Sequence, residues 1–231
     1  KELVTALKRY LFIINWLIII VPAWGQQQAT VSQYMFNGMA INPAYAGSQQ
    51  ALTINFLSRF QNVGLPGAPN TQTLSMHSPL PNERMALGFM VAYDKIGVIG
   101  QTGANGVYAY RLPMPNNKTI SFGIQAGFSS YRAAYTKLET YQSDPLFAQD
   151  IRQIRPNFGA GVYYSSDKYY VGISMPHMVS NVFERGANLT TVYQNNPILL
   201  SGGYVFFVNR MLRLKPNLLF KMVINAWWNL T

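Results

Sequence analysis

His77 stands two residues after Ser75 and directly before Ser78, a grouping in which an imidazole could take the proton of a hydroxyl nucleophile. On an extended strand, residues two apart point the same way with about 7 Å between them, too far for a direct hydrogen bond. No G-x-S-x-G elbow accompanies the pair. The other histidine, His177, follows Pro176 at the end of an alternating run and reads as a loop or interface residue. Asp144 and Asp150 fall in a loop without the alternating oxygen ligands of a calcium site. Gly103-x-x-Gly106 and Gly159-x-Gly161 sit in alternating segments, where glycine marks close approach inside a sheet rather than a phosphate cradle. Cysteine is absent, which excludes disulfides, thiolate metal sites and cysteine nucleophiles. The expectation is therefore no catalytic, cofactor-binding or metal site, and residue types alone name no partner-binding residue.

The elements around these residues have an unusual composition. The 231 residues suffice for one large domain or a single barrel. Hydrophobic residues make up 49% and charged ones 11%, against about 25% charged in soluble domains. Aromatics reach 14%, far too many for a disordered chain. The net charge of +10 comes from scattered residues such as Arg59, Arg84, Arg111, Arg132 and Lys168. They form no run or helical stripe, so nucleic acid is not an expected partner.

Lys1, Lys8 and Arg9 precede an apolar run from Tyr10 to Val21, and Ala23-Trp24-Gly25 follows with small residues in its first and third places. That is the layout of a secretory signal peptide. The domain reading is accordingly a signal peptide over 1–25, an N-terminal periplasmic segment over 26–50 and a β-barrel over 51–231. An uncleaved N-terminal anchor is the alternative for the first segment. The following chain holds no second apolar run of 18 residues, so membrane residence requires a closed barrel.

Period-two alternation runs along the rest of the chain. Met85, Leu87, Phe89, Val91 and Tyr93 oppose Ala86, Gly88, Met90, Ala92 and Asp94, with Arg84 placed on the second face. Ile120, Phe122, Ile124, Ala126 and Phe128 oppose Ser121, Gly123, Gln125 and Gly127. One face is bulky and apolar, and the other is small or polar but rarely charged, as in a barrel with a crowded lumen and a lipid-facing exterior. Tyr93, Tyr108, Tyr110, Tyr131, Tyr163, Tyr164, Tyr169, Tyr170, Trp227 and Trp228 are expected in interfacial girdles. The pattern predicts nine strands, at 51–61, 70–78, 84–94, 101–112, 118–132, 156–166, 168–176, 198–208 and 212–223. Longer loops are predicted from Ala133 to Ile154 and from His177 to Asn196. Bacterial single-chain barrels use even strand numbers, so the expected fold is an all-β antiparallel outer-membrane barrel incomplete at its C-terminus.

Several motifs resemble the PorP/SprF family of type IX secretion system outer-membrane proteins. They begin with Ser32-Gln33-Tyr34-Met35-Phe36-Asn37 and Asn42-Pro43-Ala44-Tyr45-Ala46-Gly47. They continue through Gly67-Ala68-Pro69, Ser75-Met76-His77-Ser78-Pro79-Leu80, Asp94-Lys95-Ile96-Gly97 and Asp144-Pro145. Arg59-Phe60-Gln61, Tyr108-Ala109-Tyr110-Arg111-Leu112, Pro156 to Tyr164 and Gly172-Ile173-Ser174-Met175-Pro176 complete the set. The resemblance implies an outer-membrane barrel, without cofactor or catalytic centre, serving protein export. Its implied partners are outer-membrane lipids together with periplasmic ring lipoproteins of the type IX machinery, a secreted protein with a C-terminal sorting domain, or both. Read by turn chemistry, Asn42 to Gly47 fixes a bend before the first strand.

Two other functional classes remain open on the residues alone. One is a passive pore lined by Arg84 and Asp94, and the other is an outer-membrane enzyme using Ser75 and His77.

Overall fold

The computed structural model describes residues 35–137, 149–178, 181–183, 192–194, 197–207 and 212–223. The predicted signal peptide, the Asp144-Pro145 motif and both C-terminal tryptophans lie outside the described residues.

Where large apolar residues alternate with small or polar ones, the chain forms strands. They are β1 (Thr53–Phe60), β2 (Asn70–Pro79), β3 (Met85–Ile96), β4 (Ile99–Met114), β5 (Lys118–Ala133), β6 (Ile151–Ser165), β7 (Tyr169–Met175), β8 (Asn181–Phe183), β9 (Val192–Gln194), β10 (Pro197–Tyr204), β11 (Phe206–Phe207), β12 (Arg213–Leu214) and β13 (Asn217–Val223). Nine of them make one antiparallel meander in the order β1-β2-β3-β4-β5-β6-β7-β10-β13. The short pairs β8–β9 and β11–β12 stand as separate hairpins. Among the described residues β1 is paired with β2 alone and β13 with β10 alone, so the sheet is a curled half-barrel with two edges. No helix among them is long and apolar enough to cross a membrane.

Short turns join the strands at one end: residues 80–84, 115–117 and 166–168. Asn116 and Asn117 both take positive φ there, as a tight hairpin requires. The opposite end carries the connection at 61–69, the β3–β4 turn and the long connection between β5 and β6. β6 begins at Ile151, inside the stretch predicted as loop. Ile151 to Arg155 pair in register with Ala133 to Ser129, and tertiary pairing there overrides the polar look of Arg152 and Arg155. Likewise β4 begins at Ile99, earlier than its alternation suggested.

The two faces of the sheet are inverted relative to a water-soluble sandwich. Ile54, Phe56, Leu87, Phe89, Phe122, Ile124, Phe158, Val171, Ile173, Leu218 and Phe220 are all exposed on the convex face. Ser75, His77, Asn105, Ser121, Gln125, Asn157 and Ser174 are buried on the concave one. Hydrocarbon outside the sheet makes this arrangement favourable, because each convex side chain then meets lipid and the backbone polar groups between the two edge strands are paired along the ladder.

The girdle reading needs correction at three tyrosines. Tyr131, Tyr163 and Tyr170 share the concave face with Ser129, Ser121 and Ser174 by strand parity. Tyr163 is buried there, so these rings fill the interior. Tyr164 and Tyr169 do face outward, as a pair with ring centroids 5.8 Å apart. Arg84 also departs from expectation, since it lies exposed in the turn before β3 rather than along the strand.

The inverted faces predict an asymmetric response to charge. Ile124→Arg, at a convex position 61% exposed, is expected to destabilise the folded state by about 2–4 kcal/mol in lipid vesicles. Urea titration of the refolded protein measures it, and a neutral effect would place this face in water.

Candidate functional site

A row of small residues crosses the concave face. Ala86 pairs with Ala109, Ala109 with Gly123, Gly123 with Gly161, and Gly161 with Ser174. Five adjacent strands thus present almost no side-chain volume at one level, which leaves a furrow across the interior. The chain's own residues 37–47 occupy it.

Two 3-10 turns build this plug, Gly38–Ala40 and Pro43–Tyr45. Asn42 caps the second, its Oδ1 accepting from the Ala44 amide at 2.9 Å while Pro43 holds the first position. The Asn42 side chain then reaches into the sheet. Its Nδ2 donates to the carbonyl of Val162 on β6 at 3.0 Å and, more weakly, to that of Ile173 on β7 at 3.5 Å. Asn42 is only 2% exposed, so these partners replace water entirely. Glycine is required opposite it: a Cβ on Gly161 would collide with Asn42 Oδ1, and one on Gly172 would sit 2.8 Å from Asn42 Nδ2. At Gly123 a Cβ would run into the Pro43–Ala44 backbone.

The remainder of the plug is held along its length. Ser75 Oγ donates to Asn37 Oδ1 at 3.0 Å, and Ser174 Oγ donates to the Ile41 carbonyl. The Gly47 amide donates to His77 Nδ1 at 3.2 Å, so the imidazole hydrogen is on Nε2. Met39 and Ala46 join Ala86, Met90, Val107 and Ala109 in the main buried apolar cluster. Tyr45 stands edge-on to His77 and to Tyr163, with centroids 5.8 and 5.5 Å away. Beyond it Tyr163 stacks near Tyr170, whose hydroxyl donates to Asn217 Oδ1 at 2.7 Å on β13. One connected set of contacts therefore runs from β2 through the plug to the far edge of the sheet.

A second inward segment follows β7. Gln125 Nε2 donates to the Pro176 carbonyl at 2.8 Å, and the Met178 amide donates to the Phe158 carbonyl. Asn157 Nδ2 donates to Asn105 Oδ1 at 2.9 Å. Its Oδ1 is left to accept from His177 Nδ1 at 3.0 Å. A Cβ on Gly159 would meet the Pro176 carbonyl at 2.6 Å, so this glycine too marks a seat.

These contacts decide several expectations. Ser75 and His77 both engage the plug, on Asn37 and Gly47, and are positioned as its anchors. Close packing holds at Gly159 and Gly161 but not at Gly103 and Gly106, where a Cβ would find its nearest neighbours at 3.9 and 3.8 Å. Asp94 faces the interior bonded to Thr71 Oγ1, without Arg84 across a lumen from it. The bend expected in Asn42 to Gly47 exists, but its main role is to fill the sheet, which turn chemistry could not reveal. Among the described residues no cluster of His, Asp or Glu could hold a metal ion.

Fold and site together define an antiparallel membrane β-sheet protein whose concave face is stopped by its own N-terminal segment. The sequence model described as type IX secretion system membrane protein PorP/SprF matches residues 23–228, and the chain belongs to that family. No curated protein and no solved structure matches the chain. Four of the motifs that suggested the family, Asn42 to Gly47, Ser75 to Leu80, Pro156 to Tyr164 and Gly172 to Pro176, meet around the plug.

The seat is testable because the natural chain has no cysteine. In Ala46→Cys, at a position 0% exposed, the single thiol should react slowly with maleimide. Adding Gly161→Ala should cost about 1–3 kcal/mol of seating by overpacking and speed labelling by roughly tenfold or more. Gly103→Ala, where a methyl fits, is the control, and equal rates in all three proteins would mean that the plug does not rest on this glycine.

Proposed function

We propose that this chain is a non-enzymatic outer-membrane component of the type IX secretion system, one that docks periplasmic machinery or a dedicated secreted substrate. In this reading residues 1–25 direct export through the inner membrane and are removed. The observation that carries the docking role is the filled concave face. A segment bonded to β2, β6 and β7 blocks the route that a free conduit would need, which favours a stopped platform over an open channel. Family membership makes the chain a membrane component of the export machinery, and a stopped sheet serves that machinery best as a binding surface rather than as the path itself.

Affinity isolation of the tagged protein from detergent-solubilised outer membranes tests this. Co-purification of ring lipoproteins, or of a secreted protein bearing a C-terminal sorting domain, is the expected result. In planar bilayers the purified protein should be electrically silent. Steady ion conductance together with the absence of such partners would instead support a pore without a secretion role.

A further inference from the structure

The convex face carries one feature that the apolar belt does not explain. Lys95, Gly100, Arg132 and Arg152 are successive register partners across β3, β4, β5 and β6. All three cations are exposed, and all share the outward parity of Tyr93, Phe128 and Ile154. Arg132 and Arg152 lie directly opposite each other, an arrangement of like charges that destabilises a strand pair. Among the described residues, Asp94 accepts from Thr71 on the other face, and Asp150 accepts from the Thr136 amide and hydroxyl. A groove of about 440 Å³ lies among these cations, with Tyr93, Thr102 and Ser130 in its walls.

Below the cations the surface is shaped as a trough. On the outward side β4 presents Gly100, Thr102, Ala104 and Gly106 in succession. Beside it β3 raises Tyr93, Val91 and Phe89, while β5 raises Phe128. A Cβ built on Gly100 would meet nothing within 4 Å, so the floor is open rather than close-packed. At about 3.4 Å per residue the trough runs roughly 20 Å, and on a tilted strand this spans about one leaflet of a 30 Å hydrocarbon layer. The cations cap the end that carries the long β5–β6 connection, the side that faces the exterior in outer-membrane barrels.

We propose that this face is a specific site for a phosphorylated lipid of the outer leaflet, with its phosphate held by Lys95, Arg132 and Arg152 and an acyl chain lying along β4. Charge complementarity selects the headgroup, since guanidinium groups bind phosphate bidentately and relieve their mutual repulsion in doing so. The apolar walls select a lipid over a soluble anion. The inference rests on the membrane placement of the chain and is independent of its docking role.

Native mass spectrometry of the delipidated full chain in detergent tests the site with three probes: lipid A, dephosphorylated lipid A and inorganic phosphate. Lipid A should be retained and the dephosphorylated form should not. Arg132→Gln and Arg152→Gln should each weaken retention by roughly fivefold. Gly100→Leu, which keeps every cation and whose Cβ would meet nothing within 4 Å, should abolish it by filling the trough. Heat-modifiable gel migration verifies that each variant is folded. Equal retention of both lipids, undiminished retention in folded Arg132→Gln, or binding of inorganic phosphate with no lipid retained would each overturn the proposal. So would displacement of bound lipid by an acidic peptide at equal concentration, which would make the surface a protein contact.

Discussion

A sheet whose outer face meets hydrocarbon must spend its large apolar side chains on the outside, and this one constraint shapes everything within. In a soluble sandwich the same residues would fill the core. Here Phe122, Ile124 and Phe158 are unavailable for that purpose. The interior has to be closed by residues that satisfy one another's polar groups, because each unpaired buried donor or acceptor carries its full desolvation cost.

The chain meets this demand with shape first and hydrogen bonds second. The row Ala86, Ala109, Gly123, Gly161 and Ser174 removes volume at one level, so that a stretch of backbone, rather than side chains, fits against the sheet. Asn42 then supplies what apolar contact cannot. Its amide pairs with one amide of the plug and with the carbonyls of two strands, so a single side chain sets the depth and the orientation of the segment. Around it the aromatic series Tyr45, Tyr163 and Tyr170 transfers the contact sideways toward β10 and β13. Together with the apolar cluster around Met39, Met90 and Val107, these small residues, this amide and the three tyrosines do the work of a core.

Much of this could be read along the chain, and the rest could not, for physical reasons. Strands such as β5 and β7 announce themselves through period two, and the structure places them within a residue or two of the pattern. The inversion of the faces followed from the scarcity of charge opposite Phe122, Ile124 and Phe128. The start of β6 was hidden because Arg152 and Arg155 look like loop residues until their partners on β5 are known. The plug was hidden more deeply. Two turns of three residues each have no periodicity, and their partners lie far away in sequence, as with Ser174 and Ile41, separated by 133 positions. The glycines at 123, 161 and 172 were visible one at a time. Their meaning emerges only when hairpin register lines the first two up and brings the third beside the same Asn42.

The order of the plug and its seat along the chain has a kinetic consequence. The plug is made first, yet the carbonyls that hold Asn42 belong to β6 and β7, which are more than a hundred residues downstream. Contacts of such sequence separation form late, after the loop-closure entropy of the intervening strands has been met. Until then the segment can reach its nearer partners Ser75 and His77 on β2, but the carbonyls that fix Asn42 are missing. Seating of Asn42 therefore follows the pairing of β6 with β7, and a chain in which those strands slip by one residue offers it the wrong face. The plug thus acts as a checkpoint that reads the register of strands it never adjoins in sequence.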